Sequence, residues 1–235
     1  SFWAEFRHVV KTTNPEAYLL GEIWTADARW VGDEHFDGLI NYPLRDCILR
    51  LLQSGTLDVS QFAEKCHCIL NLYPKENVHT MYLPLSTHDT ERLLTKLNVD
   101  IQKTKLAFLF QFSFPGIPGI YYGDEIGLLG GKDPDCRRAF PWDRQEWNHE
   151  LLDWVKKLIS ARRQYPALQY GEYHRSKYEN QENCYLFWRS LDDETILVGL
   201  NPSDSSCKLR LSTKEFDWKR GQSVHNILNR EVYTI

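Results

Sequence analysis

The segment Ala17-Tyr18-Leu19-Leu20-Gly21-Glu22-Ile23-Trp24 is strand-length and almost continuously apolar. That is the pattern of a strand buried on both faces of a parallel sheet. Such a strand needs helices against it, which restricts the chain to an α/β arrangement. The flanking sequence supplies them. Phe2, Phe6, Val9 and Val10 follow helical spacing, and Asn14-Pro15 stops that helix. A second strand is expected within 36–42, followed by a helix traced by Leu44, Ile48, Leu51 and Leu52 and ended by Gly55. A third strand reads through 80–86, although Pro84 weakens it as an interior strand. Residues 106–114 are apolar almost all round, as in a buried helix. Pro115-Gly116 breaks it before a fourth strand at 117–122. Leu151, Leu152, Val155, Leu158 and Ile159 mark a last long helix, ended by Tyr165-Pro166.

The pattern changes after that helix. Tyr185 and Phe187 alternate with polar neighbours, as do Ile196, Val198 and Leu200, and Leu191-Asp192-Asp193-Glu194 can turn between them. This is an antiparallel hairpin within a small all-β domain. The expected organisation is therefore an α/β unit over 1–168 and an all-β domain over 169–235. A closed (β/α)8 barrel takes about 250 residues. Four strand–helix units are either an open sheet or half of such a barrel, and the periodicity does not separate the two.

Composition narrows the class. The formal net charge of -4 offers no basic field for nucleic acid. No window approaches the 18 uninterrupted apolar residues of a membrane span. The first residues, Ser1-Phe2-Trp3-Ala4-Glu5, hold no signal-peptide core and no initiator Met, so the chain is expected to begin inside a helix. An aromatic share of 13% suits sugar stacking, and equally a large core. The six cysteines are scattered and require no disulfide framework, which makes a reducing, cytoplasmic compartment the default. Cys66-His67-Cys68 is no metal motif on a helix, where positions i and i+2 do not face each other. No cofactor motif is present: Gly-x-Gly-x-x-Gly and the P-loop are both missing, against a nucleotide-binding open sheet.

Three strands end in polar residues: at Glu22, at Ser86-Thr87-His88-Asp89 and at Gly123-Asp124-Glu125. Parallel barrels place their active sites at such ends. Glu22, between Leu20, Ile23 and Trp24, has the apolar setting that raises a carboxyl pKa and suits a general acid. It can also be a strand-end carboxylate that pairs with a nearby arginine or caps a helix. Asp89 can be the second carboxylate of a glycosidase, or the cap of a helix beginning at Thr90-Glu91-Arg92. No Gly-x-Ser-x-Gly accompanies His88-Asp89, which removes a serine triad.

Together these segments resemble the α-amylase superfamily, glycoside hydrolase family 13. Gly21-Glu22-Ile23-Trp24 is similar to its acid/base region. Ser86-Thr87-His88-Asp89-Thr90-Glu91-Arg92 is similar to its His-Asp region on the seventh barrel strand, and Gly116 through Gly127 to its eighth strand and following loop. Gly131-Lys132-Asp133-Pro134-Asp135-Cys136-Arg137-Arg138 with Pro141-Trp142 resembles the neopullulanase, cyclomaltodextrinase and maltogenic amylase subgroup. The resemblance implies the C-terminal half of a (β/α)8 barrel, strands five to eight, followed by a small antiparallel β-sandwich.

The implied activity is retaining hydrolysis of α-linked glucans: maltooligosaccharides, cyclodextrins, pullulan and starch-type bonds. The implied roles are Glu22 as acid/base, Asp89 as transition-state stabiliser, His88 on the same sugar and Trp24 on the leaving-group side. Asp133 and Arg137 would hold the non-reducing side. Arg92 would orient Asp89, and Asp124 and Glu125 would be structural. One element departs from the family. No Arg-x-Asp at a strand end precedes Glu22, so the nucleophile is not among these residues. The chain is expected to be a C-terminal fragment, inactive alone, without metal, and self-associating through the exposed edge of its half-barrel. The other expectation is a non-catalytic glucan-binding or scaffolding half-barrel.

Overall fold

Helix α1 (Phe2–Thr13) begins on the Ser1 hydroxyl, which accepts from the Ala4 amide, and ends at Asn14 as expected. In this computed structural model residues 1–53, 56–176, 183–208, 211, 212, 216 and 218–235 are described. No residue of α1 is buried. Trp3 packs on Trp30 and Phe36, while Phe2, Phe6 and Val9 remain exposed.

Four short parallel strands follow: β1 (Leu20–Gly21), β2 (Gly38–Leu39), β3 (Tyr82–Pro84) and β4 (Ile117–Gly119). Each lies inside its expected segment and is much shorter. Ladder bonds form only where a neighbour is in register, and the flanking residues bond to side chains instead. Asp37 accepts from the Leu19 amide at 2.8 Å, and Lys11 reaches the Ala17 carbonyl at 2.7 Å. β1 pairs with β2, and β3 with β4. A parallel bridge from Ile40 to Tyr82 joins the two pairs, so the strands run side by side in chain order. Pro84 is the last residue of β3, opposite Gly119, where its missing N–H interrupts nothing further along.

Helices cover these strands. α2 (Tyr42–Leu52) carries the expected Leu44, Ile48, Leu51 and Leu52 into the core; Gly55 lies outside the described residues. α3 (Val59–Leu72), which the apolar periodicity did not single out, starts on a capping box of Asp58 and Gln61. It buries Phe62, Cys66 and Ile69, so Cys66 faces the core while Cys68 is exposed. α4 (Lys75–Val78) and α5 (Leu93–Lys96) are single turns. α6 (Ile101–Ser113) is buried nearly all round, and its Gln111 amide donates to Leu83 and Gly119 carbonyls at 2.9 and 2.8 Å, tying helix to strands. α7 (His149–Gln164) ends at Tyr165, and α8 (Pro166–Tyr170) follows it.

Strands β5 (Glu172–Arg175), β6 (Tyr185–Leu191) and β7 (Glu194–Leu200) form an antiparallel sheet, with the turn at Asp192-Asp193 as read from sequence. β8 (Ser223–His225) and β9 (Val232–Thr234) pair separately. The β6 face shares one core with the helices: Tyr185 meets Phe62, and Phe187 meets Phe114. Arg189, fully buried, donates to the carbonyls of Ser113, Leu168 and Gly171. It thereby satisfies carbonyls at the ends of α6 and α8 that no intrahelical donor reaches.

Cys184 and Cys207 form a disulfide, a pairing that the scattered cysteines of the sequence did not require. Their spacing carried no signal because strand β6 and the loop after β7 meet only in the folded chain. Among the described residues, no helix is long and apolar enough to cross a membrane.

Candidate active site

The end of β1 sets the position of Glu22. Gly21 faces inward, where a Cβ would lie 2.5 Å from the Phe36 ring. Side chains alternate along a strand, so Leu20 and Glu22 share the opposite face. Both are exposed there. The apolar pocket expected around Glu22 is not formed, because nothing among the described residues covers that face. Instead, the Tyr42 hydroxyl donates to Glu22 Oε1 at 3.0 Å. The Tyr42 ring stacks on Trp24, with centroids 3.8 Å apart and planes within 6°.

Tyr42, which the sequence did not single out, thus contacts both Glu22 and Trp24. It opens α2 just after β2, with Asn41 capping the helix by accepting from the Leu44 amide. The available signal was Asn41-Tyr42-Pro43, a cap followed by proline in the first turn, directly after a strand. The phenol pKa is pushed up to about 12, by burial first and by the carboxylates of Glu22 and Asp89, against a lowering hydrogen bond from Thr87.

The end of β3 presents the second cluster. Ser86 and Thr87 are buried, and His88 and Asp89 emerge into solvent. The Thr87 hydroxyl accepts from the Asp89 amide at 3.2 Å. Asp89 does not cap a helix. The residue preceding α5 is Arg92, with no side-chain cap, and it is the Ser86 hydroxyl that receives the Leu93 amide. Asp89 instead meets His88 Nε2 at 3.3 Å through one oxygen and Arg137 Nη2 at 3.3 Å through the other. Arg137 Nε lies 2.6 Å from Asp133 Oδ1 and donates to the His88 carbonyl at 3.0 Å. His88, Asp89, Asp133 and Arg137 thus form one contiguous polar cluster, and Glu22 and Trp24 join through Tyr42.

The guanidinium on Asp89 is that of Arg137, in place of the Arg92 expected there. Arg92 is fully buried, with its Nη1 3.3 Å from Asp124 Oδ1. Burial pushes the Asp124 carboxyl up to about 7, against the lowering pull of Ser86 and Arg92. Glu125 Oε2 is buried with no hydrogen-bond partner among the described residues. Among the described residues, no group of three His, Cys, Asp or Glu side chains could hold a metal ion.

Parallel strands whose C-terminal ends carry separate carboxylates, one of them gripped by histidine and arginine, have the layout of a barrel-type sugar hydrolase. The alpha amylase catalytic domain matches residues 1–171, and the chain belongs to the alpha-amylase family. Within it, the chain is similar to the cyclomaltodextrinase of Geobacillus thermopakistaniensis, 39% identical over 232 residues that span 99% of this chain and 39% of that protein. Neopullulanase 2 of Thermoactinomyces vulgaris is 36% identical over 231 residues, 96% of this chain and 40% of that one. The crystal structure of the debranching enzyme from Nostoc punctiforme superposes with a TM-score of 0.83 at 37% identity, covering 88% of this chain and 45% of that chain. The chain thus spans about two fifths of the length of the relatives it matches.

Proposed function

We propose that these residues serve retaining hydrolysis of α-linked glucans, with Glu22 as general acid/base and Asp89 as the carboxylate that stabilises the transition state. The observation that carries the reading is the pair of strand-end carboxylates, one accepting from the Tyr42 phenol at 3.0 Å and the other held by His88 and Arg137 at 3.3 Å each. His88 and Arg137 hold Asp89, Asp133 and Arg137 take the non-reducing side of the glucan, and the Trp24 ring lies under the leaving-group side. Residues 1–168 are the fifth to eighth strand–helix units of a (β/α)8 barrel, and 169–235 a small β-sandwich.

In the reaction, an aspartate outside these 235 residues attacks the anomeric carbon. Glu22 protonates the departing glycosidic oxygen, and a covalent glycosyl-enzyme forms. Glu22, now ionised, takes a proton from water as that water attacks the same carbon and frees the aspartate. A sugar hydroxyl in place of water gives transglycosylation. The Tyr42 hydroxyl occupies Glu22 Oε1 and leaves Oε2 to carry the proton.

Without the attacking aspartate, the 235-residue chain should bind maltooligosaccharides without turning them over. Calorimetry with maltotetraose should show binding that Asp89→Asn and Arg137→Ala each weaken; binding indifferent to both would remove this site. Turnover by the purified chain would end the claim that the nucleophile lies elsewhere. The exposed Phe2, Phe6 and Val9 of α1 and the open side of β1 favour self-association. Light scattering should report a dimer or larger species, and a monodisperse monomer would refute it.

A further inference from the structure

Three residues beyond Asp89, Arg92 is fully buried, and its side-chain hydrogen bonds go to Cys136, Tyr122 and Asp124, none of them a glucan-facing group. Its contacts lead back to them. Its backbone amide donates to the Gly130 carbonyl at 3.0 Å. Its Nε donates to the Cys136 carbonyl at 2.8 Å, and its Nη1 to the Tyr122 carbonyl. The guanidinium lies over the rings of Tyr121 and Tyr122, 4.5 Å from each centroid. Asp124 Oδ1 lies 3.3 Å from the same Nη1.

Cys136 sits at the turning point. Its carbonyl is held by Arg92, and its buried thiol donates to the His88 carbonyl at 3.1 Å. The next residue is Arg137, whose Nε donates to the same His88 carbonyl and whose Nη2 reaches Asp89. A closed ring of contacts therefore runs from Arg92 through Cys136 to Arg137 and back to His88-Asp89. The segment 130–138 is irregular, with a single short helical turn at Asp135–Arg137. Its position depends on such anchors more than on backbone ladders.

We infer that Arg92 is a positioning residue that acts through Cys136 to place Arg137 against Asp89 and His88. Its bearing on glucan binding rests on the function proposed above, whereas its hold on the 130–138 segment does not. A planar guanidinium is required: it donates in two directions in one plane, pairs with a carboxylate and stacks on two rings at once, which an ammonium cannot do.

The test is Arg92→Lys in the whole chain, with thiol alkylation followed residue by residue by mass spectrometry. Cys136 and Cys47 are both buried, but only Cys136 lies in the ring of contacts. Cys68, exposed, serves as the internal standard. Loss of one hydrogen bond to a charged group should raise Cys136 alkylation about tenfold, with Cys47 unchanged. A parallel rise at both thiols, or at neither, overturns the proposal, because loosened packing would not be selective.

If Arg92→Lys does not fold, Arg92→Gln combined with Asp124→Asn removes both ionisable groups, so that neither is left buried without the other, and the same selective rise at Cys136 is expected. For the sugar, maltotetraose binding should weaken about fivefold in Arg92→Lys. Arg92→Lys added to Arg137→Ala should weaken it by no more than about twofold further. Additive losses would show that Arg92 does not act through Arg137. A null effect of Arg137→Ala alone would instead refute the glucan reading and leave the thiol result to decide the positioning claim.

Discussion

The Tyr42 hydroxyl donates to Glu22 Oε1 at 3.0 Å, from a ring that lies flat against Trp24. One side chain thereby fixes both the carboxylate at the end of β1 and the aromatic surface beside it. Tyr42→Phe keeps the stack and removes the hydrogen bond. In a glucan-hydrolysing barrel containing these residues, kcat/KM should fall about tenfold or more, the loss expected for one hydrogen bond to a charged group. Tyr42→Ala should cost more, because the stack is lost as well. Steady-state kinetics on a maltooligosaccharide measure both, and equal rates for all three proteins would show that Tyr42 is a bystander.

Asp124 gives the fold a pH dependence of definite sign. Its carboxyl ionises near 3.8 in an unfolded chain and is pushed up to about 7 in the folded one, mainly by burial. Between these values the folded chain keeps a proton that the unfolded chain has released. Stability contributed by Asp124 therefore falls as pH rises through that window, and is flat below and above it. Asp124→Asn should abolish this component. Urea unfolding from pH 4 to pH 7 should show the wild-type chain losing stability relative to the variant; a difference constant with pH would contradict it.

Arg189 joins the β6 strand to the ends of two helices by donating to Ser113, Leu168 and Gly171 carbonyls. Arg189→Met fills most of the volume but leaves these buried acceptors unmet, at a cost of about 1–3 kcal/mol for each unsatisfied group. Chemical unfolding should show a loss of about 3 kcal/mol or more. A loss below about 0.5 kcal/mol, the usual range for surface substitutions, would mean that the carbonyls find other donors.

The strand ends were legible in the sequence because a buried strand shows its limits: Glu22 and His88-Asp89 are the polar residues at which apolar runs stop. Tyr42 was not legible, since its role arises from the start of α2 lying beside the end of β1, 20 residues apart in the chain. Arg92 was the expected partner of Asp89, three residues away in the chain, and only folding buries it and brings Arg137 to the carboxylate instead. The strands proved shorter than their apolar runs because hydrophobicity marks burial, whereas ladder pairing requires a neighbour in register. The capping box at Asp58 and Gln61 and the one-sided spacing of Val59, Phe62, Ala63, Cys66 and Ile69 made α3 readable as well, although it was not picked out. The Cys184–Cys207 pair had no local signature at all.

Whether Glu22 performs proton transfer is best measured in a chimera in which these 235 residues replace the matching span of the Geobacillus thermopakistaniensis cyclomaltodextrinase. Cyclodextrin hydrolysis by the chimera and by its Glu22→Gln variant is compared at equal folded concentration. General acid/base catalysis is typically worth about 10² to 10⁴ in rate, so kcat of the variant should fall by that factor with binding retained. A Glu22→Gln chimera that hydrolyses at close to the unaltered rate would contradict the acid/base assignment.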